Sequence, residues 1–286
     1  MKMNRFYILA FFLLTGKFLF AQEIKISSKD SVIFENYKEK VTTERWDTLQ
    51  FNELVTNTGV FFLETPYVNY TLEINDTEQL VVNFDELDCT TFAEVSLALA
   101  RAAVSENFSL SNFCKELQNI RYRGGILTDY TSRLHYFSDW IYDNQQMGLV
   151  EDITKKIGGY LKPTTVYIMS KRYEKYKALQ ENPDFIPTIL EQEAEINNRE
   201  HYFIPKAEVD SFAYHIQSGD IIAITTAYAG LDITHLGFAC WQNDELHLMH
   251  ASREFQQVII TPNTMKEYLL SNTGQGGIMV ARVMKP

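Results

Sequence analysis

Read for the spacing of its apolar positions, the chain changes character along its length. Val41, Trp46, Leu49, Phe51, Leu54 and Val55 sit among charges at intervals closer to helix than to strand, which predicts a helical segment from about 35 to 58. The stretch TPYVNYTLEIN alternates Tyr67, Asn69 and Thr71 with Val68, Tyr70 and Leu72, so a half-buried strand is expected before the turn-rich Asn75-Asp76. From Phe92 the apolar residues Val95, Leu99, Ala102 and Ala103 return to helical spacing. Asp88, Thr90 or Thr91 can cap the N–H groups at its start, which puts Cys89 on a helix N-terminus.

SLSNFCKELQNIRY predicts a further helix carrying Cys114, ended by the Gly pair of RYRGG, with Arg121 and Arg123 flanking a loop. The following DYTSRLHYFSDWIYDN mixes Tyr130, Arg133, His135, Tyr136 and Trp140 with apolar residues before helical spacing resumes. Between about 165 and 215, charged helices broken by Pro183, Pro187 and Pro205 read as an insertion or lid. After it SGDIIAITT, THLGFACW, ELHLMHAS and GGIMVARVM read as short strands separated by turns. Helices first and strands later make the fold class α+β. The expected division is an N-terminal helical and extended segment at 22–80 that packs on a core domain at 81–286.

The first residues change the compartment. MKMNRFYILAFFLLTGKFLFAQ has Lys2 and Arg5 ahead of an apolar run and Ala21 at a cleavage point, so residues 1–21 read as a secretory signal and the protein as exported, periplasmic or envelope-associated. Lys17 within the run and bulky Leu19 leave a retained membrane anchor as the alternative, the one route to a membrane partner. Without the signal the chain carries 23 Lys+Arg against 37 Asp+Glu, a charge of −14, which argues against nucleic acid as a partner. Three cysteines in an oxidising compartment leave at least one thiol unpaired.

Cys114 and Cys240 have apolar neighbours and fit the role of small buried hydrophobes, with a disulfide between them open. Cys89 differs. Its neighbours Asp88, Thr90 and Thr91 are polar, and the partial positive charge of a helix N-terminus favours a thiolate while free backbone N–H groups can hold an oxyanion. A base must come from elsewhere in the sequence. Of six histidines, His235, His247 and His250 fall on two consecutive strands. If Trp241 pairs with Leu246 around an even-numbered loop, Gly237 stands opposite His250, His235 lies diagonally beside it, and His247 points to the other face. An odd-numbered loop would bring His247 to the face of His235 instead. The even register is preferred because Gly237 leaves room for two imidazoles, which makes His235 the base and His250 its orienter.

The motifs LDCTTFAE, SGDIIAI, THLGF and HLMHAS, in this order, resemble the NlpC-type papain-like cysteine hydrolases of bacterial cell walls. The resemblance implies a papain-like core in which a nucleophile helix packs on an antiparallel sheet or partial barrel, with helical segments added. Cys89, His235 and His250 occupy its catalytic positions. YRGG and SRLHYFSDWIYDN resemble one branch of that superfamily, described as N-acetylmuramoyl-L-alanine amidase-like, over most of the chain. That branch implies peptidoglycan or muropeptide fragments as substrate, with the bond between N-acetylmuramic acid and L-Ala as first choice. The bond between γ-D-Glu and the diamino acid is the second. The helical stretch near 170–205 is no part of the minimal fold and receives no site residue.

Asp88, Thr90, Arg133, His135, Tyr136 and Ser252 are the candidate substrate contacts. Arg121, Arg123 and Arg133 could pair with stem-peptide carboxylates, and Tyr130, Tyr136 and Trp140 could stack on sugar, although ordinary ion pairs and core aromatics are the alternative for each. No cofactor is called for, and a monomer is expected. A zinc site built from Cys89, His235, His247 and His250 is disfavoured because one register cannot bring all three histidines together. A catalytically silent wall-binding protein of the same fold stays open.

Overall fold

The computed structural model describes residue 24 and residues 26–286; the expected signal at 1–21 lies outside the described residues. Among the described residues, no helix is long and apolar enough to cross a membrane. Five helices come first: α1 (Ser28–Thr43), α2 (Phe51–Phe61), α3 (Cys89–Ala103), α4 (Leu110–Arg121) and α5 (Phe137–Gln146). Short strands β1 (Val150–Asp152) and β2 (Tyr160–Leu161) lead to three small helices, α6 (Ile168–Lys171), α7 (Lys177–Glu181) and α8 (Ile186–Asn197). Then follow β3 (Tyr202–Pro205), α9 (Val209–Phe212), β4 (Ile221–Thr226), β5 (Ile233–Gln242), β6 (Glu245–Ser252), β7 (Gln257–Ile260), α10 (Met265–Ser271) and β8 (Gln275–Val283).

The strands form one antiparallel sheet in the order β2-β3-β8-β4-β5-β6-β7, with β1 also paired to β8. The expected α+β class is the observed one. All six residues of β4 are buried, and the strand period of two divides them between the sheet's faces. Ile221 and Ala223 join the core beneath the N-terminal helices, while Ile222 and Ile224 join a second core with residues of α9 and α10.

Helix α3 is the axis of the first core, buried continuously from Thr91 to Ala103. A helix enclosed on every side must satisfy its polar side chains internally. Glu94 does so through Arg121 at 2.6 Å, both side chains 2% exposed, and Arg121 also donates to the Val81 carbonyl at 2.7 Å.

The expected strand at 66–75 does not form. Its backbone makes single bridges at Pro66–Gln257 and Tyr67–Leu87, and Tyr70 at φ 62° turns the chain out of extended geometry. The helices expected between 165 and 215 are present from 168 to 197 and enclose a small core of Val166, Met169, Leu179, Ile189 and Ile196 against Tyr130 and Tyr136. Beyond them the chain returns to the sheet, where fully buried Ile204 pairs with Ile278. Cys114 and Cys240 are buried free thiols, so the disulfide left open above is not made.

Candidate active site

The helix start that presents Cys89 is built by reciprocal capping. The Asp88 carboxylate accepts from the Thr91 N–H at 2.8 Å, and the Thr91 hydroxyl accepts from the Asp88 N–H at 2.9 Å. Cys89 is the first helical residue, and the N–H groups of a helix's first turn have no acceptor within the helix. Thr90 and the Leu236 backbone lie close to the Cys89 sulfur, which places it beside the strand that carries His235.

The two strands meet in the even register. Trp241 pairs with Leu246 and Phe238 with Met249, around Asn243 and Asp244 at φ 50° and 64°, the left-handed pair that a two-residue hairpin turn requires. Gly237 lies against His250: a Cβ added there would stand 2.8 Å from the His250 Cβ and 2.4 Å from the Met249 carbonyl oxygen. A bulge where β5 pairs with β4, between Ile224 and Thr225, leaves Thr234 without a partner just before His235. His235 Nε2 and His250 Nδ1 are hydrogen-bonded, with ring planes 79° apart. His247 pairs with Cys240 instead and is held on the other side by the Thr261 and Asn263 carbonyls at 3.0 Å, so the four zinc ligands considered above do not converge.

Cys89 and His235 border two clefts at once. One, of about 710 Å³, also takes in Asp88, His250, Ser252 and Tyr268; the other, of about 220 Å³, takes in Thr90, His135 and Tyr136 with Ile168 and Met169 of α6. Five of the six candidate contacts therefore line a cleft. Arg133 does not: it is 6% exposed, ion-paired with Glu73 at 2.9 Å and Glu78 at 3.4 Å, and stacked over Tyr130. Arg121 is likewise consumed by Glu94, Arg123 binds Asp139 at 2.5 Å, and Trp140 lies fully buried on Phe137. Arg121, Arg123, Arg133 and Trp140 are thus held by internal partners, because burying long charged or flat side chains requires partners that keep them from the cleft. Sequence reasoning overlooked Tyr67, Tyr268 and Gln275, which border the larger cleft but come from segments without a motif.

Burial sets the proton affinities. It pushes the Cys89 thiol up to about 12, with the Asp88 charge adding and the nearby Thr90 and Leu236 donors opposing. It lowers His235 to about 4, and burial together with His235 lowers His250 to about 2. The resting pair is therefore neutral thiol and neutral imidazole. Because an Asn amide oxygen can still accept from the Thr91 N–H, Asp88→Asn removes the charge while keeping the cap. It should raise the rate of Cys89 alkylation by iodoacetamide at pH 8 up to about tenfold, the equivalent of one pKa unit. A rate equal to wild type would refute the part assigned to Asp88.

The same shifts bear on stability. His235 and His250, with His135 lowered to about 3 by burial, refuse protons that the unfolded chain accepts below its ordinary histidine pKa of about 6.5. Stability present above that pH is lost as pH falls toward about 4, while Glu94 and Asp220, raised by burial, act in the opposite sense. The urea midpoint should be lower at pH 5.5 than at 7.5; equal midpoints would contradict the histidine assignment.

In this α+β fold a cysteine on a helix N-terminus borders the larger cleft together with two hydrogen-bonded strand histidines. Residues 57–278 match the AmiA-like family, described as N-acetylmuramoyl-L-alanine amidase-like, and the chain belongs to that family. Among solved structures, an N-acetylmuramoyl-L-alanine amidase from Bacteroides uniformis is 35% identical, with TM-score 0.78 over 83% of this chain and 100% of its own. A Bacteroides fragilis protein named a "putative xylanase" is 37% identical, with TM-score 0.75 over 79% of this chain and 99% of its own. A Legionella pneumophila protein at 24% identity shares the fold, with TM-score 0.65 over 90% of this chain and 98% of its own. No curated protein matches.

Proposed function

We propose that this protein is a cysteine amidase of the NlpC-type papain-like class, exported to the cell envelope. Its proposed reaction is hydrolysis of the amide between N-acetylmuramic acid and L-Ala in peptidoglycan or its fragments. The observation that carries the reading is that Cys89, His235 and His250 border one cleft, with the two histidines hydrogen-bonded. His235 takes the thiol proton as sulfur attacks the carbonyl, and the Cys89 backbone N–H receives the developing oxyanion, a donor worth about 3–4 kcal/mol at the transition state. Collapse breaks the C–N bond, His235 protonates the departing amine, and water activated by His235 hydrolyses the thioester. Asp88, Thr90, His135, Tyr136 and Ser252 remain as the candidate substrate contacts.

The name of the Bacteroides fragilis relative points instead to glycan cleavage. That chemistry uses two carboxyl groups across the scissile bond. In the larger cleft the Asp88 carboxylate is spent on the Thr91 N–H and hydroxyl at 2.8 and 2.9 Å, which favours amide hydrolysis. The test is mass spectrometry of defined muropeptides incubated with the protein. Free saccharide and an intact stem peptide are expected; cleavage after γ-D-Glu, shortened glycan, or no product from any muropeptide would overturn the reading.

A further inference from the structure

For His235 to receive the Cys89 proton on Nδ1, its own proton must sit on Nε2 and be donated to His250 Nδ1. His250 must then be protonated on Nε2. That nitrogen is buried and has no hydrogen-bond partner, which makes it a costly donor to leave facing nothing. The ring that packs on His250 from α10 belongs to Tyr268, with centroids 5.4 Å and planes 68° apart, the near-perpendicular geometry in which the edge of one ring meets the face of another. Tyr268 lies beside the side-chain amide of Gln275, a buried residue at the start of β8 that borders the same cleft.

We propose that Tyr268 is a positioning residue: its ring covers the Nε2 edge of His250 and holds that histidine in the tautomer that accepts from His235. The inference rests on the amidase reading for its kinetic arm and on the ring geometry alone for its structural arm. Around His250 stand His235 on β5, Tyr268 on α10, and Cys89 and Asp88 at the start of α3. Arg253 and Glu254 border the same cleft, and β7 contributes apolar Ile259 opposite His250. A leucine in place of the tyrosine removes the aromatic face and lets water reach the imidazole, which relieves desolvation and raises the His250 pKa from its depressed value. A protonated His250 offers His235 no lone pair, so activity is lost from the acid side at a higher pH than before.

The experiment compares Tyr268→Phe with Tyr268→Leu. Nitrogen NMR of the histidine rings reads the tautomer, and kcat and KM on a muropeptide are followed across pH. Tyr268→Phe keeps the aromatic face, so His250 should stay protonated on Nε2 and the acidic limb should stay at its wild-type pH. Tyr268→Leu should give mixed tautomers, an acidic limb moved to higher pH, and a fall of roughly tenfold in kcat with KM little changed, the rate equivalent of losing one ordinary hydrogen bond. A Leu variant with a single Nε2–H tautomer and an unmoved acidic limb would overturn the proposal. So would a Phe variant as impaired as the Leu variant, which would put the hydroxyl on substrate. If no muropeptide is turned over, the amidase reading fails while the tautomer measurement still decides the role of Tyr268.

Discussion

Cys89→Ala should abolish muropeptide hydrolysis, with a loss of at least about a thousandfold, the scale on which an enzyme loses its covalent nucleophile. The fold should survive the change. Ala is the best helix former, and the Asp88–Thr91 cap that starts α3 uses no atom of the Cys89 side chain. The half-buried thiol makes no disulfide that the change would break. Far-UV circular dichroism and the urea midpoint should therefore match wild type while product disappears. Turnover near the wild-type rate would remove Cys89 from the chemistry. A variant that loses activity and structure together would show that the thiol's packing against the core is needed for the fold.

The largest effect on stability is expected at Arg121→Met. The guanidinium neutralises Glu94 at 2.6 Å in the middle of the core, and burial already raises the Glu94 pKa despite that partner. Removing one member of a buried pair strands the other charge and typically costs about 3–5 kcal/mol. Loss of the bond to the Val81 carbonyl adds to it. The stranded carboxylate can escape part of the cost by taking a proton, so the penalty in urea unfolding should be smaller at pH 5 than at pH 7. Replacing both residues, as in Glu94→Met with Arg121→Met, should recover much of the loss, because an apolar pair needs no desolvated charge. A single variant as stable as wild type at pH 7 would refute the pairing. Glu94 follows Cys89 on the same helix, so this pair also holds the helix that presents the thiol.

Much of the site was legible in local patterns. The cap-and-cysteine start of α3 could be read from Asp88, Cys89 and Thr91 because capping involves residues three apart. The sequence left an even and an odd β5–β6 register open and favoured the even one through Gly237; the two-residue turn at Asn243-Asp244 makes that register the observed one. The same logic failed at 66–75, where the alternation was there but no neighbouring strand was available to pair with it over more than single bridges.

What depended on distant segments could not be read at all. Arg121, Arg123 and Arg133 look like substrate-binding cations in sequence. Glu94, Asp139, Glu73 and Glu78, 16 to 60 positions away for the bonds between them, turn them into internal supports. Tyr268 and Gln275 carry no motif and enter the site only because α10 packs against β6 and β8 pairs with β4, the neighbour of β5. By itself the sequence determined the elements whose forces are local: the helix cap, the short strands after residue 218 and the turns between them. The tertiary structure alone decided which charges are free and which side chains surround the thiol, because burial and pairing depend on what long-range packing brings within a few ångströms.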